Sequence, residues 1–222
     1  MPTFPNSPRT MRGAIALLDP DNGRLQRIIT LQFNPESLSR TLQVQSLAGE
    51  SGDRTEALRL TGPPVETITL DAEIDATDQQ LEFPNENATA VQHGIHPQLA
   101  ALETIIYPAS SRIQQNNRLA EAGTLEIIPM QSALTLFVWS ADRVLPVRLT
   151  EFSVTEEFFD ASLNPIRAKV SLGMRVLNQN DLGIAHRGGN MFMTHHQLKE
   201  RLTRMNQAGA GGAAVIRVIR AT

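Results

Sequence analysis

Apolar and polar positions alternate most cleanly in two stretches of the chain. In IRAKVSLGMRVL (166–177), Ala168, Val170, Leu172, Met174 and Val176 oppose Arg167, Lys169, Ser171 and Arg175. In VETITLDAEID (65–75), Glu66, Ile68, Leu70, Ala72 and Ile74 fall on one side, and Val65, Thr67, Thr69 and Asp71 on the other. A period of two sends successive side chains to opposite faces, so both stretches predict strands with one buried face. ALTLFVW (133–139) and VLPVRLTEFSVTEEFF (144–159) extend the pattern, with Trp139–Arg143 as the turn between them. Near the start, MRGAIALLDPDNGRLQRIITLQFN predicts a hairpin. Ala14, Ala16 and Leu18 share a face, and DPDNG supplies the residues of a tight reversal. The stretch LQFNPESLSRTLQVQ (31–45) then leaves a strand through Phe-Asn-Pro and resumes alternation. Leu42, Val44 and Ser46 against Gln43, Gln45 and Leu47 predict a half-buried strand.

One internal segment changes period. In HPQLAALETIIYP (96–108), Leu99, Leu102, Ile105 and Ile106 recur at helical spacing, and Pro108 ends the helix. Residues 76–92 are polar, contain Pro84 and predict a loop or a short broken helix. AGESGDRTEA (48–57) reads as a polar excursion between strands. Beyond Asn178, QNDLGIAHRGGN reads as a linker. MFMTHHQLKERLTRM (191–205) reads as a helix with Phe192, His195, Leu198, Leu202 and Met205 near one stripe. NQAGAGGAA is a flexible tether by composition, and VIRVIRAT is strand-like. The chain thus divides into a loose arm (1–11), a mainly antiparallel β domain with one packed helix (12–178), and a short C-terminal extension (179–222). The fold class is α+β, mainly β.

Composition narrows the function. The 222 residues carry a formal charge of −3, which argues against neutralising nucleic-acid phosphates. No cysteine is present, which removes disulfides, thiolate catalysis and thiolate metal sites. No apolar run approaches a bilayer span, and MPTFPNSPRTMRG has no signal-type core, so direct membrane insertion is not expected and the chain is assigned to the cytoplasm.

Candidate chemistry does not accumulate. His93 and His96 are three apart and His195 and His196 adjacent, whereas a helical zinc pair needs four-residue spacing and a third ligand. All are read as capping or surface residues. DPDNG resembles the start of a calcium loop, but its glycine is one position early and Thr30 stands where the bidentate glutamate belongs. Glu156-Glu157 reads as the solvated end of a strand. Nucleophile elbows, phosphate-binding glycine loops and dinucleotide fingerprints are absent. Neither an enzyme nor a cofactor is expected.

Two local patterns carry a family likeness. One is LQFNPESLSRTL, a strand, a Phe-Asn-Pro turn and a polar-alternating strand. The other is FFDASLNPIRAKVSLGMRVL, in which Asn-Pro-Ile-Arg-Ala leads into a long amphipathic strand. Together, over roughly Arg12 to Leu177, they resemble the tube-protein family of contractile injection systems, the phage-tail-like particles. The resemblance implies an antiparallel, β-barrel-like tail-tube fold whose copies close into a homo-hexamer. Such rings stack as the inner tube or join the tube to the spike at the baseplate.

The 45 or so residues after Leu177 favour the spike–tube adaptor over a plain tube or tube-initiator subunit. Similar adaptors often end in a peptidoglycan-binding LysM module. Residues 178–222 are too short and too glycine-rich for one, and peptidoglycan binding is not expected. The expected partners are the spike and inner tube proteins. The expected subunit interface comprises Phe33, Asn34 and Pro35 in the stiff turn, Arg54, Glu56 and Arg59 in the polar excursion, and Arg217 and Arg220 in the tail. The alternative class is a β-fold enzyme or carbohydrate-binding module, which would be monomeric.

Overall fold

The computed structural model describes residues 11–46, 59–77, 88–123 and 132–205. Among these residues seven strands run β1 (Ala14–Leu18), β2 (Leu25–Thr30), β3 (Leu38–Gln43), β4 (Val65–Asp75), β5 (Leu134–Ser140), β6 (Arg143–Phe159) and β7 (Pro165–Val176). They form one sheet in the order β2-β1-β5-β6-β7-β4-β3, and every pairing is antiparallel. The helices are α1 (Ala88–His93), α2 (His96–Glu103), α3 (Ser110–Glu121), α4 (Gln179–Leu182) and α5 (Arg187–Met205).

The two cleanest alternations form the centre of the sheet. Ile68, Leu70, Ala72 and Ile74 of β4 stand opposite Met174, Leu172, Val170 and Ala168 of β7, and all eight are buried. On β6 the apolar residues run Leu145, Val147 and Leu149, then Phe152 and Val154. This slip of parity coincides with a bulge between Leu149 and Glu151, which keeps both sets on the inner face. Gly173 lies opposite the bulge. The inner face closes over Ile95, Leu99 and Leu102 of the α1–α2 region and Phe192 of α5. β1 is buried on both sides. Ile15 and Leu17 join this main core, while Ala16 and Leu18 meet Leu134 and Leu136 in a second cluster flanked by Leu182 and Met191.

The connection Leu31–Ser37 explains the shape. β2 and β3 are consecutive in sequence yet form opposite edges of the sheet. A flat seven-stranded sheet is about 29 Å across at ~4.8 Å per strand, close to the full reach of so short a link. The sheet therefore curls. Leu31 donates its N–H to the Gly13 carbonyl at 2.8 Å on the β1 side. Next to it, the Gln32 amide donates to the Asp75 carbonyl (2.5 Å) and accepts from the Asp75 N–H (2.9 Å) at the end of β4. Leu31 itself is buried. Among the described residues the sheet is curled but open, with β2 and β3 as its free edges.

Several boundaries differ from the sequence reading, each for a local reason. The strand expected over 42–47 is β3, Leu38–Gln43; it is mostly exposed, and beyond it a bridge joins Ser46 to Leu60. The helix expected to run to Pro108 ends at Glu103, where the Thr104 hydroxyl turns back to the Ala100 carbonyl at 2.8 Å. Beyond the one packed helix expected, α1 precedes it and α3 follows; α3 buries no residue, so no apolar stripe announces it. The stretch read as a linker after Asn178 contains α4 and the first turn of α5. Asn178 and Asp181 form a reciprocal capping box at its start. The apolar stripe of α5 is buried at Phe192 and His195 but leaves Leu202 and Met205 exposed.

Candidate assembly interface

The two Asn-Pro motifs are anchors. The Asn34 side chain accepts from the Gly13 N–H and donates to the Met11 carbonyl, both at 2.9 Å, as a neighbouring strand would. Pro35, with its fixed φ, follows at once. The turn is thus pinned to β1 on one side and, through Gln32, to β4 on the other. Phe33 projects from it, 44% exposed.

The second motif closes the β6–β7 hairpin. Asp160 organises the loop: its carboxylate accepts from the Ser162 N–H (2.7 Å), the Asn164 N–H (2.9 Å) and the Asn164 amide (2.9 Å). These bonds, the Asn164 side chain first, hold the Asp160 carboxyl below its ordinary value. The Asn164 amide also donates to the Gln92 carbonyl at 3.2 Å. The Pro165 carbonyl accepts from the Ile95 N–H at 2.9 Å, so the loop is bound to the α1–α2 junction. Gly94 makes this approach feasible: its φ is +57°, and a side chain there would strike the Pro165 carbonyl.

The hairpin tip presents apolar side chains outward. Phe158 and Leu163 have φ of 55° and 64° and are 66% and 78% exposed, and Phe159 beside them is half-exposed. A left-handed conformation costs a non-glycine residue about 1 kcal/mol. Neither position recovers that cost by burial within the chain. The signal was present in the sequence, because Phe158-Phe159 breaks the alternation just before a turn and one strand face cannot hold both.

A polar cluster fixes α5. Glu66, on the inner face of β4 and only 3% exposed, accepts from Arg40 of β3 at 2.7 Å and from Lys199 of α5 at 3.4 Å. Burial alone would raise its carboxyl; the Arg40 hydrogen bond and the charges of Lys199 and Arg40 outweigh burial and hold it below the ordinary value. His195, set by the sequence on the apolar stripe of this helix, is buried, with Nδ1 3.1 Å from the Asp142 carbonyl oxygen. Burial, helped by the Lys199 charge, pushes its imidazole below the ordinary value.

The expected interface residues are only partly brought to view. Arg54, Glu56, Arg217 and Arg220 lie outside the described residues. Arg59 is exposed beside Leu60, whose bridge to Ser46 continues the β3–β4 pairing beyond the strand ends. Among the described residues no hydrogen bond or ion pair joins it to Phe33, Asn34 or Pro35. The Asp19 turn is self-contained: its carboxylate accepts from the Asp21 and Asn22 N–H groups at 3.0 Å. Among the described residues no group of three or more potential metal-ligating side chains occurs, and no helix is long and apolar enough to cross a membrane.

Comparison with known proteins adds little. No family model and no curated protein matches. Solved structures that are similar include the tail of an empty gene transfer agent particle with C6 symmetry and the virion of a native gene transfer agent particle. Each is 8% identical and covers 74% of this chain and 90% of its own, with TM-scores of 0.29 and 0.28. Superposition at that level does not bear on function.

Proposed function

We propose that this chain is a structural component of a contractile injection system, with no enzymatic role. Six copies would form a baseplate ring joining the spike to the inner tube of a phage-tail-like particle assembled in the cytoplasm. The observation that supports this reading is the open curl of the sheet. Among the described residues β2 and β3 each have one paired side and one free side, and the short Leu31–Ser37 link keeps the two edges from spreading. Free strand edges invite pairing with another chain. Where such contacts are heterologous, a ring closes only if every copy presents its edge at the same angle. Pinning of the Phe33–Pro35 turn at both ends supplies that constancy.

On this reading Phe33, Asn34, Pro35, Arg59 and the 48–60 excursion face a neighbouring copy, and Arg217 and Arg220 face the spike. Mass photometry should find the purified chain at six times the 24.4 kDa of one copy, and negative-stain images should show rings. Deleting residues 49–56 should leave a folded protein that no longer forms hexamers. A chain that stays monomeric at every concentration, or a deletion that assembles normally, would overturn the ring or the loop's part in it.

A further inference from the structure

We propose that the β6–β7 tip of one copy docks head to tail into an apolar groove of a second copy of this chain. The tip carries Phe158, Phe159 and Leu163, held outward on a loop that Asp160 and Asn164 make rigid. The groove, a cavity of about 400 Å³, is lined by Ile106, Leu134, Leu149 and Leu182, with Arg148 and His186 among its lining residues.

Three observations select a second copy as the occupant. First, the tip cannot reach the groove of its own chain. Leu149 lines the groove and Phe158 sits at the tip of the same strand, and nine residues of strand hold them about 30 Å apart. Second, the charges are complementary. Lys169 and Arg167 engage Glu157, which leaves Glu156 and Asp160 as the acidic pair beside the apolar tip. The groove offers Arg148, which makes no ion pair among the described residues. Third, tip and groove lie toward opposite ends of the β6–β7 hairpin, so docking leaves a tip free at one end and a groove at the other. The contact is heterologous and propagates or closes according to its angle.

The test uses the full chain and two variants examined by sedimentation velocity across a concentration series. Phe158→Asn with Leu163→Asn removes the apolar tip while placing in both left-handed positions a residue that tolerates them. Ile106→Glu spoils the groove at a half-exposed position. Each variant alone should associate at least tenfold more weakly than the wild type. An equimolar mixture should form one-to-one dimers that grow no further, because only one intact tip meets one intact groove. The tip variant should also melt at or above the wild-type temperature, since its loss is of docking and not of fold.

Should either variant misfold, Glu156→Arg and Arg148→Glu provide a second pair. Each alone weakens association, and both in one chain restore it. A wild type that never self-associates, a tip variant that associates normally, or mixtures that stay monomeric would overturn the proposal. Rings that persist in both variants remove this contact and leave the ring reading intact. Mixed dimers from a chain that never closes into six do the reverse.

Discussion

A Cβ on Gly173 would lie 2.9 Å from the Cβ of Glu151, in the bulge where β6 shifts register against β7. The bulge lets Leu149 and Phe152 share the inner face despite their odd spacing, and Gly173 makes room for it. Gly173→Ala should therefore cost about 1–3 kcal/mol, as overpacking does, in urea unfolding. Leu172 beside it is fully buried between Leu70 and Phe152, so Leu172→Ala should cost about 2–5 kcal/mol. A loss below about 0.5 kcal/mol at Leu172 would be incompatible with its assigned face. The inward set Ala168–Val176 was legible because one unbroken period of two defines it. The role of Asn34 was legible only as turn chemistry, and that of Asn164 only as the entry into a strand. Their partners, Gly13 and Gln92, are 21 and 72 residues away, and no local pattern encodes such a pairing.

The hold on α5 depends on pH, because a neutral His195 and an ionised Glu66 both contribute to it. Each group has a folded pKa below its unfolded one, so the unfolded chain binds more protons on acidification and stability falls with pH. The His195 contribution is complete above 6.5 and is lost as pH falls below that value; the Glu66 contribution is complete above 4.5 and is lost below it. Urea midpoints measured from pH 8 to pH 3 should therefore decline in two steps. His195→Gln should abolish the upper step, and Glu66→Gln should shrink the lower one, to which Asp160 and Asp19, also held below the ordinary carboxylate value, contribute. A flat profile through both ranges would deny the cluster its role. The helix itself was legible from its stripe, and its partners were not, because Lys199 and Glu66 meet only through the tertiary fold. α3 was invisible for the opposite reason: it buries no residue, so no apolar face toward the core marks it.

At the scale of the whole molecule, the curl arises where a short connection must join opposite edges of the sheet. The mainly β, antiparallel character was legible from alternation; the strand order was not, since it depends on pairings such as β1 with β5. Truncation after Gln207 should leave this body folded, because the cores and pairings described here lie before that point. If the tail docks on the spike as proposed, the truncated protein should fail to retain the spike in pull-downs; unchanged retention would remove Arg217 and Arg220 from the interface. The double-sided burial of β1 also bears on how the chain is made. All five residues from Ala14 to Leu18 are apolar and buried, and β5, their partner on one side, begins at Leu134. Roughly 116 residues separate Leu18 from Leu134, so at about 5–20 residues per second a ribosome needs about 6–23 s to supply the missing strand. Throughout that interval the nascent hairpin carries an apolar edge with nothing to pair against, which makes it a natural client for a ribosome-associated chaperone.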